Sequence, residues 1–328
     1  VFNQTTGDIS DHYLLQVTPA GWTFSIWGII YTWQALWLIY GLTTICRKKD
    51  GTYFYLLPLM PVAVYFSFMF NNICNVAWLF TWDMEEMVAA LPLIALMPFS
   101  LYIGLYFSFS SVYRNLAEST KKGLSRDIWL IRLLVQNGIA FYATWVTIAT
   151  LLNLAIVMSY WGDVSVEDSG TTVLSILLVE VIIWFVTDIF IFDKYVRYTF
   201  SPYITLIMAL SGVLSKNYDL DNTYRNSVFT LFNLVLCIIL FVFKLVTLFW
   251  RHFRSPINPQ MVIIIQQQTK EKIQYNETQE KIQYNDTDKI TREQCQDQLA
   301  NMELSLSLSD SFIKLPIMDK CSMFGLKY

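Results

Sequence analysis

Three apolar stretches of this 328-residue chain place flat aromatic rings and side-chain amides on one helical face. Trp27, Tyr31 and Gln34 are spaced i, i+4, i+7. Asn71, Asn75, Trp78 and Trp82 repeat the pattern, and Trp145, Ala149, Leu152 and Asn153 form a third stripe. Ring faces can stack on a planar, largely apolar ligand while an amide meets its polar edge. The same side chains can instead be packing glue, each interhelical amide hydrogen bond contributing about 0.6–2 kcal/mol. Periodicity alone leaves both readings open.

Two carboxylates stand inside apolar runs. Glu180 lies near the middle of one, and Asp188 follows two turns later on a similar face. An acid in hydrocarbon is costly, so each is a candidate for ion coupling, a proton relay or a buried pair. Arg132 is a candidate partner, though its long side chain could equally reach up to the headgroups. Catalytic constellations are absent: His12 and His252 are the only histidines, and no GxGxxG, phosphate-cradling loop or GxSxG appears. The expectation is a protein that is not an enzyme, holds no metal and requires no cofactor. Five cysteines, at 46, 74, 237, 295 and 321, show neither metal-site spacing nor a disulfide framework. Cys46 sits beside Arg47, Lys48 and Lys49, a setting for palmitoylation or for an unmodified juxtamembrane thiol.

The elements that must position these residues are membrane spans. The chain is 55% hydrophobic and only 15% charged, with a mean hydropathy of +0.41, against roughly 25% charged residues in a soluble domain. Apolar runs cover about 22–44, 55–80, 87–109, 130–158, 172–192, 199–215 and 227–250, which predicts an all-α polytopic bundle of about seven spans. The second run contains Pro58 and Pro61 near its start, and the sixth is short and opens at Pro202. Loops after the first, third, fifth and seventh runs are basic, while the alternate loops carry Asp83, Glu85 and Glu86, then Asp163, Glu167 and Asp168, then Asp219 and Asp221. The positive-inside pattern places the N-terminal segment outside and the C-terminal tail in the cytoplasm. Asn3-Gln4-Thr5 is then a glycosylation sequon on the outer side. Secretory-pathway membranes, the plasma membrane above all, fit this arrangement.

The domain organisation expected is an outer segment 1–21, a helical bundle 22–161, three further spans within 162–250 and a tail 251–328. In the tail, Lys272-Ile-Gln-Tyr-Asn-Glu-Thr278 returns as Lys281-Ile-Gln-Tyr-Asn-Asp-Thr287, and the polar composition predicts disorder. The net charge of −3 and the lack of a basic domain exclude a nucleic-acid partner and leave the lipid bilayer as the principal one. The start at Val1 suggests that earlier residues are missing.

Three segments, in order, resemble the TspO/MBR family of tryptophan-rich sensory and translocator proteins. Pro19-Ala-Gly-Trp22-Thr-Phe24-Ser-Ile-Trp27-Gly-Ile-Ile-Tyr31 is similar to the entry into that family's second helix. Asn75-Val-Ala-Trp78 resembles the N-x-x-W of its third helix, and Trp145-Val146 through Ala149 to Leu152-Asn153 resembles the W-V-x-x-A-x-x-L-N of its fifth. The resemblance covers residues 3–161 and implies a five-helix bundle whose first helix would precede Val1, giving eight spans in all. It also implies a pocket for porphyrins, sterols or other hydrophobic ligands, a transport or sensory role, and a homodimer. Ala20 replaces the second proline, and the step from Phe24 to Trp27 is one residue short. Leu154 stands where animal members carry the tyrosine of a sterol motif, so cholesterol binding does not carry over.

The sequence therefore points to a membrane protein that binds or translocates a planar hydrophobic ligand. The residues expected to line the pocket are Trp27, Tyr31, Gln34, Asn71, Asn75, Trp78, Trp145, Ala149, Leu152 and Asn153. The alternatives are a proton- or ion-coupled transporter using Glu180, with Asp188 as a second candidate acid, and a seven-span receptor.

Overall fold

The computed structural model describes residues 5–219, 224–257 and 259–307. Asn3 lies outside them. The chain forms two compact units, residues 1–262 and 263–328.

The first unit is a helical bundle. A short helix α1 (Thr6–His12) opens it, closed at its start by a capping box between Thr5 and Asp8. A single 3₁₀ turn (Gly21–Ser25) leads into α2 (Ile26–Cys46). A two-residue hairpin follows, β1 (Lys48–Lys49) against β2 (Thr52–Tyr53), turned by Asp50 and Gly51 at φ 49° and 80°. That positive-φ pair is the geometry of a two-residue hairpin loop. Next come α3 (Val62–Asp83) and α4 (Met87–Arg114), then two short helices, α5 (Leu116–Lys121) and α6 (Ser125–Leu130). A π-helical segment (Ile131–Gln136) joins α6 to α7 (Asn137–Trp161). Helix α8 (Val166–Val186) also ends in a π-helical segment (Thr187–Ile191), followed by α9 (Asp193–Val196), α10 (Ser201–Asn217) and α11 (Arg225–Arg254).

Each of the seven apolar runs contains a helix. Among the described residues, six of these helices are long and apolar enough to cross a bilayer. The exception is α10, whose 17 residues rise roughly 26 Å against about 30 Å of hydrocarbon. Its Pro202 sits in the first turn, where the missing N–H costs nothing. The expected start of the second span needs correction. Residues 55–61 lie outside α3, which begins at Val62 with Pro61 as its N-cap. Each proline pushes its predecessor out of the helical region, and Leu57 before Pro58 is extended at ψ 140°.

Helix α7 is the axis of the bundle. It packs on α2, α4, α8 and α10, while α3 packs on α4, and α11 on α8 and α10. Close approach is built from small residues. A Cβ on Gly212 of α10 would lie 2.0 Å from Thr23 Oγ1, and one on Gly138 of α7 would lie 2.7 Å from Trp33 Cδ1.

Charges collect at the two ends. One end pairs Arg47 with Asp127 at 2.8 Å, and Asp193 with both Arg197 at 2.6 Å and Arg251 at 2.8 Å. The other pairs Lys216 with Asp11, and Arg225 with Asp168 at 2.8 Å. His12 and Tyr13 reach Glu85 at 3.4 and 3.2 Å there. Burial, with the Glu85 charge beside it, pushes the Tyr13 hydroxyl up to about 12.

The second unit, as far as it is described, is the bulk of α12 (Pro259–Ser307). The sequence predicts disorder here, whereas the structure draws one continuous helix. Lys, Glu and Gln are good helix formers. Asp288–Arg292 at 2.9 Å and Lys289–Glu293 at 4.0 Å add i, i+4 support. Exposed side chains dominate its described surface.

Candidate functional site

The three aromatic stripes meet. Helix α2 buries Trp27, Ile30, Gln34 and Trp37 along one face, and α3 buries Asn71, Asn75, Trp78 and Trp82. Trp27 is the hub of the contact. It stacks on Tyr31 at 5.6 Å and 23° and on Trp78 at 5.8 Å and 29°. It also meets Tyr142 and Trp145 edge-on at 6.0 and 6.1 Å. Trp82 extends the array from Trp78 at 5.3 Å, and Phe24 meets the Trp145 ring at 6.2 Å. Each such pair adds about 0.5–1.5 kcal/mol beyond its buried area, so the cluster rigidifies this end of the bundle.

Beside the cluster lies an apolar cavity of about 60 Å³. Trp27, Trp78, Trp145, Ala149 and Leu152 line it. So do Leu174 and Leu177 of α8 and Ala209 and Leu210 of α10. Sequence reasoning gave these later helices no part in the site, because aliphatic residues on an amphipathic face announce a core and nothing more specific. The indole N–H groups of Trp78 and Trp145 are buried and have no acceptor among the described residues, and Asn153 Oδ1 has no donor among them. A buried donor left unmade costs about 1–3 kcal/mol, so these groups mark a place where a partner is favourable.

The remaining stripe residues have other duties. Gln34 accepts from Trp37 Nε1 at 2.6 Å and donates to the Gly138 carbonyl at 3.0 Å, which makes it glue between α2 and α7. Asn75 donates to the Tyr31 hydroxyl at 3.2 Å. Asn153 is fully buried and reaches Met87 Sδ at 3.6 Å. Asn71 is fully buried within α3's inner face.

The two acids separate. Asp188, in the π-helical segment after α8, is buried and forms an ion pair with Lys244 of α11 at 2.5 Å. Tyr203 of α10 donates to its other oxygen at 2.9 Å. Arg132 is not its partner. That guanidinium lies over the rings of Trp129 and Tyr198, at 5.1 and 4.4 Å. The sequence held the missing signal: Lys244 is the only charged residue within the apolar run 227–250, and a lone intramembrane charge implies a counter-charge. Glu180 instead faces a much larger cleft of about 750 Å³. Cys46 is exposed at the end of α2. Among the described residues no cluster of three His, Cys, Asp or Glu side chains could hold a metal ion.

At the basic end, Asp193 is half-buried, which by itself would raise its carboxyl. Hydrogen bonds from Arg197 and Arg251 overcome this and hold it below the usual carboxylate range.

Six long apolar helices among the described residues and a tryptophan-walled void define a polytopic helical membrane protein. The profile of the TSPO-like protein family matches residues 1–246, and the chain belongs to this family. The match extends past the motifs at 3–161, through α8 and α10 and into α11. Comparison with curated proteins and with solved structures finds no match.

Proposed function

We propose that this TSPO-like protein is a non-enzymatic membrane protein that binds or passes a planar hydrophobic ligand of the tetrapyrrole or sterol-like class at its tryptophan cluster. One observation carries this reading: Trp78 and Trp145 both line an apolar cavity, and each has a buried indole N–H with no acceptor among the described residues. An apolar ring with a polar edge satisfies both features at once. A void of about 60 Å³ holds a few waters or a small ring, whereas ligand pockets run to about 300–1,000 Å³. Binding therefore parts the stacked rings, with Trp27 the ring that must yield.

The basic and acidic ends support an orientation with the N-terminal segment outside and α12 in the cytoplasm, as in a plasma membrane or another secretory-pathway membrane. No cofactor is needed for this role. A homodimer and a sensory output remain part of the same proposal through family membership. The second reading is a proton- or ion-coupled transporter; the Glu180 carboxylate facing the large cleft favours it.

The test is a titration of the purified full chain with protoporphyrin IX, read by tryptophan quenching, with Trp145→Ala and Asn153→Ala run in parallel. Saturable quenching, weakened by about 1–3 kcal/mol in Trp145→Ala, supports the site. Non-saturable quenching identical in all three proteins means partitioning into detergent, and it rejects the reading.

A further inference from the structure

The 750 Å³ cleft is a different place from the tryptophan cluster, and its walls have a different chemistry. Helices α4 and α8 both pack on α7, and the cleft runs between them with α7 as its floor. The floor is made of small residues one turn apart, Ala140, Thr144 and Thr147. Helix α4 contributes the rings of Phe99, Tyr102 and Tyr106, all substantially exposed, and α8 contributes Trp184. Tyr102 and Thr147 share a hydrogen bond of 2.8 Å across the α4–α7 contact.

Two charged side chains line this otherwise apolar cleft, Glu180 of α8 and Arg114 at the end of α4. Glu180 makes no hydrogen bond or ion pair with a described residue, and it shares the cleft wall with Tyr102. The nearest basic group along α4 that lines the cleft is Arg114, twelve residues or roughly 18 Å beyond Tyr102. A carboxylate among aromatic faces, in a low-dielectric space, is the recognition chemistry of an organic cation: the acid neutralises the charge and the rings add cation–π attraction. The volume falls in the range that encloses most of a drug-sized molecule.

We infer that the α4–α7–α8 cleft is a second ligand site, which takes an apolar or aromatic organic cation from the bilayer and pairs it with Glu180. The inference needs neither the tryptophan site nor transport.

The probe is tetraphenylphosphonium, with tetraphenylborate as the isosteric anion. Binding is measured by equilibrium dialysis on the full chain in nanodiscs of neutral phosphatidylcholine, with empty nanodiscs as the blank. The expected result is saturable phosphonium binding that tetraphenylborate does not displace. Glu180→Gln weakens it at least ten-fold, Glu180→Asp retains most of it, and Trp145→Ala leaves it unchanged. Thr144→Leu, which fills the floor without touching Glu180, also abolishes it. The inference is overturned by no saturable binding to the wild type, by equal affinity in Glu180→Gln, or by displacement by the anion as readily as by the cation. The last two would make the cleft a plain apolar groove for acyl chains. A loss of phosphonium binding in Trp145→Ala would place the cation at the tryptophan cluster instead and equally overturn it.

Discussion

Replacing Lys244 with methionine leaves the Asp188 carboxylate buried without its counter-ion. Both side chains are almost fully enclosed and lie 2.5 Å apart, so water cannot substitute for the lost ammonium. Removing one partner of a buried pair typically costs about 3–5 kcal/mol. The Tyr203 hydroxyl still donates to Asp188, which puts the expectation at the low end, about 3 kcal/mol. At about 2–4 °C per kcal/mol for a unit of this size, the apparent Tm falls by roughly 6–12 °C. The assay is the monodisperse fraction of the detergent-purified chain surviving a temperature series. Asp188→Asn should fall comparably, because it strands the ammonium. The double variant Asp188→Leu/Lys244→Met removes both charges and should recover most of the loss, since an apolar pair of similar volume is often no worse than a buried ion pair. A single variant within 1 °C of wild type (about the precision needed on this scale), or a double variant no better than the singles, would refute the idea that this pair locks α8, α10 and α11 together.

Gln34→Leu should lower stability by about 1–3 kcal/mol by stranding Trp37 Nε1 and the Gly138 carbonyl. Its porphyrin affinity should stay at the wild-type level; a selective loss of affinity would make Gln34 a ligand contact. Gly212→Ala drives a methyl into the buried Thr23 hydroxyl and should cost about 1–3 kcal/mol, seen as a lower Tm, with an unchanged Tm contradicting the close approach. Asp193→Asn tests the basic end. The folded carboxyl sits below its unfolded value of about 3.9, so its contribution is present above that pH and is lost as pH falls through the folded value. The stability gap between wild type and Asp193→Asn should be full at neutral pH and close below about pH 4. A gap that persists unchanged at lower pH would reject the linkage.

The spans were legible because about twenty apolar residues have no other use in a bilayer protein. The meeting of Trp27, Trp78 and Trp145 was legible for a related reason: a repeat at helical spacing places side chains on one face, and polar-edged aromatics turn inward. What the stripes could not show was which members face the void and which face each other. Gln34 and Asn153 read alike in the sequence, yet one is satisfied by Trp37 and Gly138, and the other keeps an oxygen without a donor. That Lys244 needs a counter-charge is readable from its apolar run, but its choice of Asp188 depends on the packing of α11 against α8, which no local pattern encodes. The same holds for the cleft, which exists because small residues on α7 leave space between its two neighbours. In the tail, the polar composition argued for disorder because it offers little apolar surface to bury, yet α12 is a helix whose described surface is mostly exposed, since good helix formers and i, i+4 pairs act without burial.

If the tryptophan-walled cavity receives the ligand, Ala149→Leu should block it. Ala149 borders the cavity of about 60 Å³, and a leucine there fills it with apolar volume while leaving every ring in place. The measurement is the Kd for protoporphyrin IX in nanodiscs, paired with the apparent Tm of the same preparation. The expected result is a Kd weakened at least ten-fold, or about 1.4 kcal/mol, with the Tm unchanged or raised. A wild-type Kd in a folded Ala149→Leu protein would place the ligand elsewhere and contradict it.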